Sequence, residues 1–312
     1  MGRLRKFALW AGGLCLALAL IAAIWLKFAL AFDAPQEFLR QKGELAGVEV
    51  EAADGDTLYE AFSLRLASSA GYAVRGHLRV PRAPGPWPSL IVIGGTNTGR
   101  MAAELINPES PYVILGLDYP WEGPTQLTWW QFLVRVLAVR RAMLLTPSAV
   151  MLAVDYLETR PEVDSTGVVL VGASFGAQLI TVVGALEQRA GPVLVIYGGG
   201  DYRTLLEANL NLRPRWLSSA LARAGAWLLD PIEPLHYAPQ VAPRPMIIIN
   251  GSLDTRIPPS SVDTLFAAAR QPKQLIWLEE GHISSRDPAL LERVLEAAVE
   301  AVEETGEIVR PS

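Results

Sequence analysis

A serine between two glycines is the strongest chemical feature of the sequence. Residues 172–176 read Gly-Ala-Ser-Phe-Gly, after an apolar run at 167–171 and before helical spacing at 177–186. A G-x-S-x-G turn between strand and helix holds its serine on a strained corner, where larger residues than glycine would collide with the neighbouring elements. The pattern predicts Ser174 as a nucleophile and the Phe175 amide as an oxyanion donor; the alternative is an ordinary glycine-rich connection.

A serine hydroxyl is a weak nucleophile at neutral pH, so it needs a base and an acid that orients the base. His282 follows the last apolar run in a loop, whereas His77 lies within a strand pattern and His236 within a helical segment. We therefore predict His282 as the base and expect packing or surface roles for the other two histidines.

Two aspartates compete for the role of the acid. Asp254 follows the apolar run at 246–249, and Asp201 follows the run at 192–196. We favour Asp254 because its run directly precedes the helix and strand that lead to His282; the losing aspartate would cap a helix or form a turn. The chain order Ser, Asp, His is the one expected where a G-x-S-x-G turn between strand and helix carries the serine.

A second oxyanion donor is expected in the loop at 94–97, which reads Gly-Gly-Thr-Asn. Glycines let backbone amides approach a developing negative charge, although they would serve an ordinary tight turn equally well. Thr96 is the predicted donor.

The elements that must position these residues alternate along the chain. Continuous apolar runs, typical of strands buried on both faces, lie at 89–93, 112–115, 167–171, 192–196, 246–249 and 274–278. Helical spacing occurs at 99–106, 147–159, 175–188, 259–269 and 288–303. Strands of alternating polarity at 48–52, 58–66 and 72–80 open the domain and are expected to be antiparallel at a sheet edge. The pattern predicts an α/β fold with a doubly wound, mostly parallel sheet.

Helical cap insertions are predicted at 121–145 and 201–240, leaving the carboxyl ends of strands, where such sheets bind ligands. Their aromatic residues Trp121, Trp129 and Tyr202 are predicted to bind substrate; the alternative is packing within the extra helices.

The N-terminal segment has its own character. Residues 7–26 contain no charge and are long enough to cross a hydrocarbon core of about 30 Å. Basic residues at 3, 5 and 6 precede them, which predicts a cytoplasmic N-terminus and an extracytoplasmic body. We predict a membrane anchor within 1–32, contacting the membrane through residues 7–30, then a stalk at 33–45 and the folded domain at 46–312; the alternative is secretion after cleavage near Ala31.

Composition limits the partners. The net charge is −5, and the first 32 residues hold four basic and no acidic residues, so the remainder holds 23 basic against 32 acidic residues. An acidic body argues against nucleic acid. The single cysteine cannot form an intrachain disulfide, and three histidines are too few for a histidine-rich metal site. We therefore expect neither a metal nor an organic cofactor.

The segment from about residue 47 to 302 resembles the α/β-hydrolase superfamily, and more narrowly the branch of dienelactone hydrolases, acetyl xylan esterases and prolyl-oligopeptidase-type peptidases. The stretches that carry the resemblance lie at 153–164, 168–176, 251–258, 281–282 and, for the turn after the fourth strand, 118–123. Two departures are Ala177 in place of a further glycine and Gly-Gly-Thr in place of a histidine-glycine entry to the oxyanion loop.

The resemblance implies a serine hydrolase, and we predict a carboxylic-ester hydrolase acting on a small-molecule ester with an apolar, lipid-derived acyl group. A thioesterase, peptidase or acyltransferase with the same three residues remains an alternative. So does a catalytically silent binding module of the same fold.

Overall fold

A nine-stranded sheet forms the centre of the protein. The computed structural model describes residues 33–108, 111–124, 128–210 and 212–306, and the chain divides into two compact units, Met1–Ala34 and Pro35–Ser312. The sheet and the helices packed on it lie in the second unit. The predicted membrane segment at 7–30 lies outside the described residues.

The strands are β1 (Leu45–Ala53), β2 (Tyr59–Ser68), β3 (Tyr72–Pro81), β4 (Trp87–Ile93), β5 (Val113–Leu117), β6 (Val163–Ala173), β7 (Val193–Ile196), β8 (Met246–Gly251) and β9 (Lys273–Leu278). Their order across the sheet is β1-β2-β3-β5-β4-β6-β7-β8-β9. The pairs from β1 through β3 to β5 are antiparallel and the remaining pairs are parallel. The predicted antiparallel edge and mostly parallel sheet are confirmed.

The helices are α1 (Ala34–Lys42), α2 (Trp129–Glu158), α3 (Ala177–Leu186), α4 (Tyr202–Asn209), α5 (Arg215–Leu229), α6 (Pro234–Val241), α7 (Pro259–Ala268) and α8 (Pro288–Glu304), with short 3-10 helices at Gly99–Leu105, Ser174–Gly176 and Asp230–Ile232. On one face of the sheet, α3 packs against β6 and β7, and α2 and α6 pack against α3. On the other face, the described residues place the Gly99–Leu105 helix over β4 and β5 and α8 over β8. That second face has the thinner cover.

Helix α2 departs from the sequence prediction. The predicted insertion at 121–145 and the predicted helix at 147–159 share one continuous helix, with Pro147 inside it. A proline removes one helical hydrogen bond, yet residues 149–154 are all buried against the rest of the domain, so packing outweighs that loss. The prediction that a helix begins at Pro147 is therefore wrong. Among the described residues, Val134–Glu158 is the one stretch long and apolar enough to cross a membrane, and most of it is buried within the domain.

Candidate active site

Ser174 stands on a sharp corner between β6 and α3. Its φ of 55° lies in the left-handed region, which is strained for a residue with a side chain. A methyl group on Gly172 would lie 2.6 Å from the Gly176 carbonyl oxygen, and one on Gly176 would lie 2.1 Å from the carbonyl oxygen of Ile93 in β4. Both positions therefore require glycine, because the turn passes against backbone on each side.

The predicted serine, histidine and aspartate meet at the carboxyl ends of the strands. Ser174 Oγ lies 2.9 Å from His282 Nε2. The other ring nitrogen of His282, Nδ1, lies 2.7 Å from Asp254 Oδ2. Because Asp254 follows β8 and His282 follows β9, three parallel strands deliver the three side chains to one edge of the sheet.

The Asp254 carboxylate is enclosed, with a side chain that is 0% exposed. Its Oδ1 accepts hydrogen bonds from the amides of Arg256 (2.7 Å) and Ile257 (3.2 Å). Burial acts to raise the pKa of Asp254, but the hydrogen bond from His282 and the two amides act against it, and the net pKa lies below its ordinary value. An ionised Asp254 holds the proton on Nδ1 of the imidazole, which leaves the Nε2 lone pair facing Ser174.

Tyr197 supports the imidazole from the side. Its ring is fully buried, and its centroid lies 5.6 Å from that of His282 in an edge-to-face contact. Burial, followed by the charges of Asp254 and Glu280, raises the pKa of Tyr197 to about 12. Its hydroxyl has no hydrogen-bond partner among the described residues. The ring therefore acts by packing rather than by hydrogen bonding.

The predicted oxyanion loop passes directly beside the serine. A methyl group on Gly95 would lie 3.9 Å from Ser174 Oγ. The Tyr119 hydroxyl donates a 2.5 Å hydrogen bond to the Gly94 carbonyl, and its ring meets Phe175 edge-on at 5.3 Å. Phe175 itself lies in the first turn of a helical segment, where amides lack partners within the helix. Thr96 lies at the same opening as Ser174.

Tyr119 was not singled out from the sequence as a site residue. Its contacts link the oxyanion loop to the serine turn, and its only sequence signal is its place in the 118–123 stretch, which resembles the turn after the fourth strand. Burial raises the pKa of Tyr119 well above its usual range, so its hydroxyl stays a donor.

The short helix after the oxyanion loop is anchored from two strands. Arg79 of β3 is 2% exposed and donates to the carbonyls of Ala103 (3.1 Å) and Ile106 (2.8 Å) at the end of that helix. Asp118, after β5, accepts from the Arg100 amide (2.9 Å) and guanidinium (2.6 Å) at its start. These bonds fix the segment that carries the loop.

A cavity of about 730 Å³ opens at the site, and Ser174 and His282 line it. The structure does not place Trp121 or Tyr202 on its wall. Trp121 donates to the Pro124 carbonyl nearby, and Tyr202 is buried at the start of α4. The side chain of Trp129 is outside what the structure describes. The walls of the cavity are formed instead by one face of the sheet and by α8. Neither was predicted from the sequence to line the site.

The two other histidines and the rival aspartate make contacts elsewhere in the domain. His77 is buried against Glu104, and His236 is exposed beside Asp230. Asp201 caps α4 by accepting from the Arg203 and Thr204 amides, as expected for the losing aspartate. In the described part of the chain, no group of three or more His, Cys, Asp or Glu residues is arranged to hold a metal ion.

Sequence comparison finds a relative over part of the chain. No protein-family model matches the chain. It is 28% identical over 136 residues to the uncharacterized protein YfhR of Salmonella typhi, a match that covers 43% of this chain and 46% of YfhR. The matched region thus spans about half the length of that relative.

Solved structures match over most of the chain. An acetyl xylan esterase from Paenibacillus sp. R4 is 16% identical with a TM-score of 0.64, covering 86% of this chain and 95% of that one. Acetyl xylan esterase 1 from Thermoanaerobacterium sp. is 18% identical with a TM-score of 0.60, covering 83% and 90%. Dienelactone hydrolase from Anabaena variabilis is 18% identical with a TM-score of 0.53, covering 78% and 96%. The chain therefore has the α/β-hydrolase fold, as its sequence predicts.

Proposed function

We propose that this protein is a serine hydrolase that cleaves a small-molecule carboxylic ester through an acyl-enzyme on Ser174. The observation that carries the proposal is the hydrogen-bonded line from Ser174 Oγ through His282 to Asp254, with distances of 2.9 and 2.7 Å. A binding module would need neither this line nor a strained serine. The similar structures described as acetyl xylan esterases and as a methylesterase support an ester as the substrate.

The reaction follows from the geometry. His282 Nε2 takes the Ser174 proton as Oγ bonds to the acyl carbon, and Asp254 stabilises the imidazolium that forms. The amides of Phe175 and Thr96 donate to the oxyanion, and removing one such donor costs about 10²–10³ in turnover. The tetrahedral intermediate collapses as the alcohol leaves with the proton from Nε2. Water then gives a proton to Nε2 as it attacks the acyl carbon. The second tetrahedral intermediate collapses, the bond from the acyl carbon to Oγ breaks, and Nε2 returns the proton to Oγ as the carboxylic acid leaves.

A fluorophosphonate probe tests the proposal, because it phosphonylates only an activated serine. We expect the full chain to be labelled and the Ser174→Ala variant to be unlabelled and without p-nitrophenyl acetate turnover. A folded wild-type protein that neither reacts nor turns over esters would contradict the proposal and favour the silent module. Labelling together with turnover of a thioester or peptide analogue, but not of oxygen esters, would favour the alternative hydrolases.

We also propose that the protein is anchored in a membrane, with its N-terminus in the cytoplasm and its folded unit outside. The support is the uncharged run at 7–26 with basic residues before it. Fractionation of the full chain tests this: we expect it in the membrane pellet after alkaline carbonate extraction. A soluble protein whose mature N-terminus lies near Phe32 would contradict the anchor and indicate secretion after cleavage.

An apolar, lipid-derived acyl group is the substrate we propose. One face of α2 exposes the apolar side chains of Trp130, Val134 and Leu137, spaced as neighbours on a helix, with Arg141 next in the row. Apolar residues interspersed with arginine suit the surface of a bilayer. Turnover of the same ester in detergent solution and in vesicles tests the idea: faster turnover in vesicles supports it, and equal turnover contradicts it.

A further inference from the structure

The cavity at Ser174 borders the sheet face on which α8 and the helix Gly99–Leu105 pack. Central strands of a doubly wound sheet should be buried on both faces. In β4, which lies between β5 and β6, Leu90 is partly exposed on the face that carries the cavity, whereas Val92 on the same face is buried, as are Val169 and Leu194 on the neighbouring strands. The segment between β4 and β5 forms only the seven-residue helix Gly99–Leu105. Because that helix is short, it leaves space between the sheet and α8.

Two apolar walls enclose this space, which we call the sheet cavity. The first wall is formed by alternate residues of three adjacent parallel strands, β4, β6 and β7: Leu90, Val92, Val169, Val171, Leu194 and Ile196. The second wall is one side of α8: Leu291, Val294, Leu295, Ala298, Val299 and Val302.

Polar and apolar residues are separated along the sheet cavity. Apart from Tyr112, the polar lining residues lie at Ser174, at His282 and in the loops beside the catalytic residues, in the segments at 95–98 and 284–286 and at Arg256. We take this polar end as the mouth. Among the described lining residues on the strands, on α8 and on the helix Gly99–Leu105, every side chain is apolar. Water needs two to four polar partners to be held well. The interior therefore suits a hydrocarbon ligand whose polar end remains at the mouth.

We propose that the sheet cavity binds the hydrocarbon chain of the acyl group, so that the enzyme prefers esters of medium- and long-chain fatty acids; this rests on the proposed esterase function. The acyl group stays bonded to Ser174 Oγ through both steps, whereas the alcohol must leave before water can attack. Space that leads inward from Oγ is therefore suited to the acyl chain and not to the alcohol. A volume of 730 Å³ is within the range of small-molecule sites.

The chain-length profile of the full protein is the first test. Each buried methylene contributes about 0.8 kcal/mol, which converts to about fourfold in kcat/KM. From p-nitrophenyl acetate to p-nitrophenyl octanoate, six methylenes are added, and we expect kcat/KM to rise by about 100-fold or more. A profile that is flat or falls with chain length would overturn the proposal while leaving the esterase function intact.

Binding without catalysis is the second test, and it separates the two proposals. The fluorescent fatty acid cis-parinaric acid is titrated against the Ser174→Ala variant and displaced with dodecanoate. We expect saturable, displaceable binding; its absence would overturn the cavity proposal. If the fatty acid binds but the wild-type protein hydrolyses no ester, the esterase proposal fails and the apolar site stands.

A larger side chain on α8 that fills the sheet cavity tests where the acyl chain binds. Ala298→Phe places a ring inside the lining. Ala297→Phe, one residue earlier, adds the same ring at a partly buried position that packs against the core but does not line the cavity, so it is the matched control for overpacking. We expect Ala298→Phe to lower the octanoate-to-acetate ratio of kcat/KM at least tenfold and Ala297→Phe to leave that ratio unchanged. Equal ratios in both variants would overturn the assignment. If Ala298→Phe does not fold, the chain-length profile and the fatty-acid titration still decide the proposal, since neither needs that variant.

Discussion

The serine turn depends on backbone approaching backbone, and Gly176→Ala tests that contact directly. A methyl group at this position would lie 2.1 Å from the Ile93 carbonyl oxygen and 2.7 Å from its carbonyl carbon. Ordinary contacts begin near 3.4 Å, so β4 and the turn would have to separate by roughly 1 Å. No side-chain rotation can relieve the overlap, because the clashing atoms belong to the backbone.

The expected cost is large for a single methyl group. Overpacking a close-packed interior costs about 1–3 kcal/mol, and a backbone clash belongs at the upper end. At about 2–4 °C per kcal/mol for a domain of this size, a loss of about 3 kcal/mol lowers Tm by about 6–12 °C. Because the displacement is carried to Ser174, kcat for p-nitrophenyl acetate should fall about 100-fold.

Gly281→Ala provides the matched control. Gly281 lies beside His282, but a methyl group there meets no atom within 4 Å. The free energy of unfolding should change by less than about 1 kcal/mol. Thermal unfolding followed by circular dichroism, with initial rates on the same ester, measures both variants. If Gly176→Ala unfolds at the wild-type temperature and retains full turnover, the close approach of β4 to the turn is refuted.

Three further outcomes follow from the site. Asp254→Asn should reduce kcat by about 10⁴, because an amide favours the wrong tautomer of His282. The control Asp201→Asn keeps its helix cap and should change kcat little. Equal losses of kcat in both variants, measured by stopped flow, would contradict the choice of Asp254 as the acid. Since the folded-state pKa of Asp254 is lowered, its ionisation stabilises the protein above the unfolded pKa of about 3.9, and this contribution is lost as pH falls through the folded value. In denaturant titrations the difference in unfolding free energy between wild type and Asp254→Asn should therefore begin to shrink near the unfolded pKa and vanish only below the lower folded-state pKa. A difference that grows towards low pH would contradict the sign. Tyr197→Phe removes a buried hydroxyl that has no partner among the described residues, so the free energy of unfolding should stay equal or rise by about 1 kcal/mol; a loss above that size would show that the hydroxyl has a stabilising partner.

Much of the architecture was readable from local pattern. Continuous apolar runs identified the six strands from β4 to β9, because strands covered on both faces have no polar side. The glycines at 172 and 176 identified the serine turn, since residues without Cβ are required where backbone meets backbone. His282 and Asp254 followed from their places after neighbouring parallel strands. Their catalytic roles remain predictions, although the structure brings their side chains together with Ser174.

One local interpretation failed for a tertiary reason. The sequence predicted a helix start at Pro147, but burial of the following residues on the domain keeps α2 continuous through that proline. The substrate-binding roles of Trp121 and Tyr202 stay predictions; neither residue lines the cavity, because their positions depend on how the segments after β5 and β7 pack. Periodicity records which residues are apolar, but not which surface they meet.

The sequence by itself determined the order of the elements, the strained serine turn and the choice among three histidines, because each depends on neighbours along the chain. The tertiary structure decided the rest. It brings Nε2 of His282 within reach of Ser174 and the Tyr119 hydroxyl onto the Gly94 carbonyl. It also leaves a cavity between β4 and α8, beside a seven-residue helix. All three features depend on distances between segments far apart in the chain. Such distances are set by the packing of whole elements against one another, which no local pattern encodes.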